Sequence, residues 1–155
     1  MLFAVTFDLD GVLADTRAAV RAAYDAVGIV MPYEAWGRPA HEWVDEKSHA
    51  AKQAIYPAML VKLAERLPGA EVMQRLQREG RSVAVVTNAS FLSATAVLEQ
   101  FELAPDALMC GQKELTLATL APACHVDDNN LDYKRAIVSV KEGVESMYER
   151  IRKML

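Results

Sequence analysis

The feature that most restricts this chain is a six-residue run near its start, Leu2-Phe3-Ala4-Val5-Thr6-Phe7, which ends on Asp8-Leu9-Asp10-Gly11. The run is almost wholly apolar and rich in β-formers, without the alternation of a half-exposed strand. It reads as a strand buried on both faces, as in a parallel sheet covered by helices. Ser82-Val83-Ala84-Val85-Val86-Thr87, entered through the turn signal Gly80, repeats the pattern. Ala107 to Cys110 and Ala123 to Val126 are shorter, weaker candidates for a third and a fourth strand. Helical stretches fall between them, roughly Phe91 to Gln100 with Ser90 as N-cap, and roughly Glu114 to Leu120. Strands alternating with helices predict an α/β fold built on a parallel sheet.

The segment from Asp15 to about Pro68 is of another kind. It is rich in Ala, Glu, Lys and Arg, lacks a convincing strand, and is punctuated by Gly28, Pro32, Gly37-Arg38-Pro39 and Pro57. Two or three helices joined by turns are expected there. It is too long for one crossover helix, so residues 15–68 are assigned to a small helical insertion, and residues 1–14 and 69–155 to the α/β core. In the tail, Ala136 to Val140 reads equally as strand or helix, and Glu145 to Leu155 as an amphipathic helix.

Asp8 and Asp10 follow the first strand at once, and Gly11 lets the chain turn. Ligands in open α/β sheets sit beyond the carboxyl ends of the strands. Alternate residues of an extended segment share a face, so Asp8 and Asp10 start together with Leu9 opposite. Carboxylates that close repel unless a cation or proton separates them. Surface charge is the plainer explanation, but two acids directly after a buried strand are costly if nothing binds there. His125-Val126-Asp127-Asp128-Asn129-Asn130-Leu131-Asp132 repeats the arrangement after a later strand. Its oxygen-bearing side chains suit a hard cation; alternatively, they form an acidic turn capping the next helix. Thr87-Asn88-Ala89-Ser90 closes the second strong strand, where a hydroxyl, an amide and free helix N–H groups make either a phosphate cradle or a simple cap. Lys113 follows the third candidate strand and says little by itself.

Other features exclude more than they assign. A net charge of −4 over 155 residues argues against nucleic acid as a partner, though not against a small phosphorylated molecule held through a cation. Cys110 and Cys124 lack C-x-x-C spacing and read as reduced core residues, which suits the cytoplasm. The opening run has no basic region before it, and Asp8 and Asp10 interrupt it, so it is not read as a signal peptide. No apolar stretch is long enough to cross a membrane. Asn88-Ala89-Ser90 matches a glycosylation sequon, read as coincidence. His41, His49 and His125 have no zinc-like spacing. His41 and His49 read as solvated helix surface in preference to substrate contacts, and His125 as strand packing. Trp36, Trp43 and Tyr56 either fill the core of the insertion or line its inner face.

Together these residues resemble the haloacid dehalogenase superfamily of aspartyl-nucleophile hydrolases. Phe7-Asp8-Leu9-Asp10-Gly11-Val12-Leu13-Ala14-Asp15-Thr16 is similar to its first motif, Val86-Thr87-Asn88 to its second, Lys113 to its third-motif lysine, and Val126 to Asp132 to its acidic fourth motif. The resemblance implies a Rossmann-like core whose helical insertion caps the active site and selects the substrate. It implies Asp8 as covalent nucleophile, Asp10 as acid and base, and Thr87, the Asn88 region and Lys113 as holders of the phosphoryl oxygens. It implies Mg²⁺ on the Asp8 carboxylate, the Asp10 backbone carbonyl and Asp128, with Asp127 or Asp132 as the further acid. An acid at position 10 points to a phosphatase or phosphomutase acting on a small phosphorylated metabolite. A binding or regulatory module without useful turnover is the alternative. A monomer or homodimer is expected.

Overall fold

A computed structural model describes residues 3–36, 38–128, 136–138 and 143–155. The chain divides into two compact units, residues 1–15 with 65–155, and residues 16–64.

The larger unit is built on a five-stranded parallel sheet. Its strands are β1 (Val5–Phe7), β4 (Val83–Thr87), β5 (Ala107–Cys110), β6 (Cys124–Asp127) and β7 (Ala136–Val138), in the order β5-β4-β1-β6-β7. Every neighbouring pair is parallel. The sheet anticipated from the apolar runs is therefore the one found. β1 is its middle strand: all three residues are buried, with β4 on one side and β6 on the other. Parallel neighbours cannot be joined by tight turns. Accordingly α3 (Pro68–Arg78) leads into β4, α4 (Phe91–Gln100) joins β4 to β5, and α5 (Lys113–Leu120) joins β5 to β6. The chain steps outward from β1 to β4 to β5, then crosses back to β6 beyond β1. This reversal of direction opens a crevice at the carboxyl ends of β1 and β6.

Apolar residues anchor the loop after β1. Leu9, Val12 and Leu13 are all buried, and the Leu13 N–H donates to the Leu9 carbonyl at 2.9 Å. The acids between them are thus carried on a fixed scaffold. Ser90 caps α4 as its position suggests, accepting from the Ser93 N–H at 3.2 Å. The closing helix α6 (Val144–Met154) packs against α3, where the Arg75 guanidinium lies 3.7 Å from the Tyr148 ring centre and bonds Glu145 at 2.7 Å.

The smaller unit pairs α1 (Arg17–Ala26) with α2 (Glu46–Leu63), with two short 3₁₀ turns at Tyr33–Ala35 and Ala40–Glu42. Asp45 caps α2 by accepting from the Ser48 N–H and hydroxyl. Lys52, Tyr56 and Leu60 recur at helical spacing on the buried face of α2. Tyr56 is core, with the Lys52 ammonium 3.7 Å above its ring, and Trp43 meets Tyr24 edge-on at 4.8 Å. Trp36 is half-buried under Arg21.

Four sequence expectations need correction. Pro57 does not end a helix but lies inside α2, since its fixed φ is helical and its ring removes one N–H from an otherwise continuous ladder. Pro68 opens α3 at a position where the missing N–H is not needed, and α3 itself was not anticipated. The span 15–68 is not strand-free: β2 (Ala14–Asp15) and β3 (Glu65–Arg66) form a two-residue antiparallel ladder, too short to leave a hydrophobic pattern and exposed along β3. His49 is half-buried, with its Nδ1 3.0 Å from the Tyr24 hydroxyl, whereas His41 is exposed as expected. Cys110 and Cys124 are free thiols, and burial pushes Cys124 up to about 12. Among the described residues, no helix is long and apolar enough to cross a membrane.

Gly69, in the first turn of α3, faces the loop after β1. A methyl group there would fall 2.4 Å from the Val12 carbonyl oxygen. Gly69→Ala is expected to cost about 1–3 kcal/mol of unfolding free energy in a urea titration. Gly143→Ala, where the added carbon meets nothing within 4 Å and only the N-cap preference of α6 is lost, should cost at most about 1 kcal/mol. Equal midpoints for the two variants would show that the Val12 backbone gives way freely.

Candidate active site

The carboxyl ends of two adjacent strands, β1 and β6, converge on one acidic cluster. Asp8 leaves β1 with its N–H donating to the Val126 carbonyl of β6 at 2.8 Å. Asp127 ends β6 and is fully buried; Asp128 follows it and is half-buried. Asp8, Asp127 and Asp128 each offer a carboxylate oxygen, all within 4.8 Å of one another. Asp8 is buried but not sealed, keeping 7 % of its side-chain surface accessible. Gly11 sits at φ +80°, and a Cβ there would fall 2.1 Å from Asp128 Oδ2, so only glycine lets that carboxylate lie against the loop. Asp10 is half-buried in the same loop, in an isolated backbone bridge with Ala14.

Lys113 reaches this cluster from β5, two strands away from β1. Gly111 and Gln112 both adopt left-handed backbone and turn the chain into α5, whose first residue is Lys113. Its Nζ donates to Asp127 Oδ2 at 2.9 Å and lies 3.4 Å from Asp8 Oδ2. Sequence alone gave Lys113 little weight, but in the fold it is the cation between two buried acids. Asn88 Oδ1 accepts from the Lys113 N–H at 2.9 Å, tying the exit of β4 to the start of α5. Thr87 is buried, with Oγ1 accepting from the Ala89 N–H at 3.1 Å. Asn129, Asn130 and Asp132 lie outside the described residues.

Two further polar residues, not anticipated for the site, stand behind it. His125 and Thr6 are both fully buried, His125 bonding Thr6 on one ring nitrogen and Asp127 on the other. The signal was present in the sequence: Thr6 and His125 each precede an acid by two positions, and so share its sheet face.

The electrostatics follow from the crowding. Burial first, then the Asp127 charge, raise Asp8 to about 8; Lys113 opposes this and Asp10 adds to it. Burial and the Asp127 charge likewise raise Asp128 to about 6. Burial would lower the Lys113 ammonium, but the Asp8 charge and the bond to Asp127 outweigh it, and the group is raised. One lysine does not balance the cluster. A hard divalent ion fits it on three counts: the donors are all oxygen, they are mutually close, and they resist ionising together. A polar pocket of about 490 Å³, lined by Glu79, Gly80, Arg81, Tyr148 and Arg152, lies toward the amino end of β4 and contains none of these acids.

No protein-family model matches the chain, and neither does any curated protein. Solved structures do match. A haloacid dehalogenase-like family hydrolase from Streptococcus pneumoniae superposes with a TM-score of 0.65 at 17 % identity, over 83 % of this chain and 77 % of that one. A haloacid dehalogenase superfamily hydrolase from Geobacter sulfurreducens gives 0.61 at 23 %, over 85 % and 82 %. CbbY from Rhodobacter sphaeroides, in complex with phosphate, gives 0.61 at 19 %, over 81 % and 77 %. At these identities the likeness is one of fold.

In metal-free protein, a carboxyl whose pKa is raised by folding holds a proton that the unfolded chain has released. Stability should therefore fall as pH rises from about 4, the unfolded value, through the raised values of Asp128 and Asp8. With chelator present, the melting temperature is expected to drop between about pH 5 and pH 8, and added Mg²⁺ to raise it more at the higher pH. A flat profile, unmoved by Mg²⁺, would contradict this account of the cluster.

Proposed function

Within the haloacid dehalogenase-like fold that this chain shares with those solved structures, we propose that it is a Mg²⁺-dependent phosphate monoester hydrolase acting on a small phosphorylated metabolite. The observation that carries the reading is the convergence of Asp8, Asp127 and Asp128 around Lys113 where the strand order reverses. CbbY, of the same fold, has been crystallised with phosphate, which supports a phosphorylated ligand. The free thiols suit a reducing cytoplasm.

Asp8 is the nucleophile. Its carboxylate oxygen bonds to phosphorus as the ester P–O bond breaks, leaving an aspartyl-phosphate. Asp10 gives its proton to the departing alcohol, then takes one from the water that attacks the intermediate, regenerating Asp8 and releasing phosphate. Lys113 holds Asp8 towards its ionised form and faces the charge that develops on the phosphoryl oxygens. Thr87, at the end of β4, offers its hydroxyl to the same oxygens. Asn88 braces the start of α5 and thereby places Lys113. Asp8, Asp128, Asp127 and the Asp10 backbone carbonyl would hold Mg²⁺, which when bound neutralises nucleophile and phosphate charge together. The helical unit of residues 16–64 is the proposed cap and selector of substrate.

Turnover of an aryl phosphate with Mg²⁺ tests the reading. Asp8→Asn should lower kcat by about a thousandfold or more, and Asp10→Ala by about 10²–10⁴-fold. Activity should vanish with chelator. Wild-type turnover no higher than that of Asp8→Asn, across a broad panel of phosphate esters, would instead favour a binding or regulatory module. Phosphoryl recovered on a second hydroxyl of the substrate, in place of inorganic phosphate, would mark a phosphomutase.

A further inference from the structure

The polar chain behind the acids begins one register pair deeper in the sheet. Thr6 and His125 are direct partners across β1 and β6, and neither side chain touches solvent. Thr6 Oγ1 lies 2.7 Å from His125 Nδ1, and His125 Nε2 lies 3.0 Å from Asp127 Oδ2. That oxygen also accepts from Lys113 Nζ at 2.9 Å. A carboxylate oxygen receiving an ammonium is an acceptor, so the hydrogen of the His125 contact sits on Nε2. In the neutral ring Nδ1 is then an acceptor, and the Thr6 hydroxyl donates to it. Asp127 thus selects the tautomer, and the Thr6 hydroxyl, free to rotate, donates to the other nitrogen and holds the ring in place. A leucine would fill the same buried strand position without any polar group to satisfy, so packing does not require an imidazole there.

We propose that His125 is a positioning residue for the reaction: its Nε2–H, oriented by Thr6, fixes the Asp127 carboxylate so that Lys113 stays against Asp8 and the three acids keep the spacing a divalent ion needs. The inference rests on the phosphohydrolase reading of the site. Asp127 is held by donors from two directions, His125 from within its own strand and Lys113 from α5. Removing the first lets the carboxylate turn and carry Lys113 with it. Groups that orient metal ligands in this way typically matter about 10–100-fold in affinity or rate.

The test compares His125→Leu, His125→Gln and Thr6→Val in the full chain. Glutamine's amide nitrogen reaches about as far as Nε2 and restores the donor; leucine does not. Calorimetric titration with Mg²⁺ alone, without substrate, should show about a 10–100-fold weaker dissociation constant for His125→Leu and recovery of most of that loss in His125→Gln. With aryl phosphate, kcat should fall in the same order while KM stays near wild type. Nitrogen-15 NMR of wild-type His125 should report hydrogen on Nε2, and Thr6→Val should keep it there while weakening Mg²⁺ binding less than His125→Leu does, because only the bond that steadies the ring is lost. Unchanged Mg²⁺ affinity in a folded His125→Leu protein would overturn the proposal, as would a glutamine variant no better than leucine, or a wild-type ring protonated only on Nδ1. Absence of wild-type turnover would sink the phosphohydrolase reading by itself, because the titration and the tautomer still decide the role of His125.

Discussion

Three carboxylates crowded at the ends of two neighbouring strands repel one another, and much of the surrounding structure is arranged to tolerate that repulsion. Burial makes the problem worse, because a low-dielectric setting strengthens every charge interaction and favours neutral acids. Lys113 offsets it from the first turn of α5. The lysine comes from beyond β4, which requires the tight left-handed turn at Gly111-Gln112 and the Asn88 bond that holds the start of α5. On the other side, Gly11 leaves room for Asp128. An ammonium inserted between buried acids is not a source of stability in itself; it is what keeps those acids from being a larger liability. What remains uncompensated is the share left to a divalent ion.

This arrangement explains which parts of the molecule can be read from the amino-acid order and which cannot. β1 and β4 were legible because strands buried on both faces must be apolar throughout, and Val5–Phe7 and Val83–Thr87 are buried at every position. α4 was legible down to its cap, because Ser90 lies beside the helix it serves. Asp8 was legible because acids straight after such a strand demand a reason. Lys113 was nearly mute: its meaning depends on strand order, and strand order is set by crossovers that no local pattern records. His125 and Thr6 each stand two residues before an acid, but their pairing was hidden for a related reason. They meet only through the register of β1 against β6, across more than a hundred residues. α3 was missed because Pro68 served only as the approximate end of the insertion, when a proline serves equally well as the first residue of a helix.

The helical unit makes a different use of charge. Lys52 is buried with its ammonium against the rings of Tyr56 and Tyr24, and it bonds Gln53 at 2.8 Å. Aromatic faces attract a cation electrostatically, so the two rings offset part of the hydration that the buried ammonium gives up. The helix α2 can therefore carry a lysine on its buried face alongside Tyr56 and Leu60 and still pack against α1.

The two-residue ladder of β2 and β3 has a consequence for how such a chain changes over time. It pairs Ala14 with Arg66 and Asp15 with Glu65, the residues at which the backbone departs from the sheet unit and returns to it. Antiparallel partners stand only about 5 Å apart, a gap that a simple hairpin turn can close. Whatever lies between these two points is spliced in like a parenthesis. It can be lengthened, trimmed or swapped while β1 and the loop it carries keep their places.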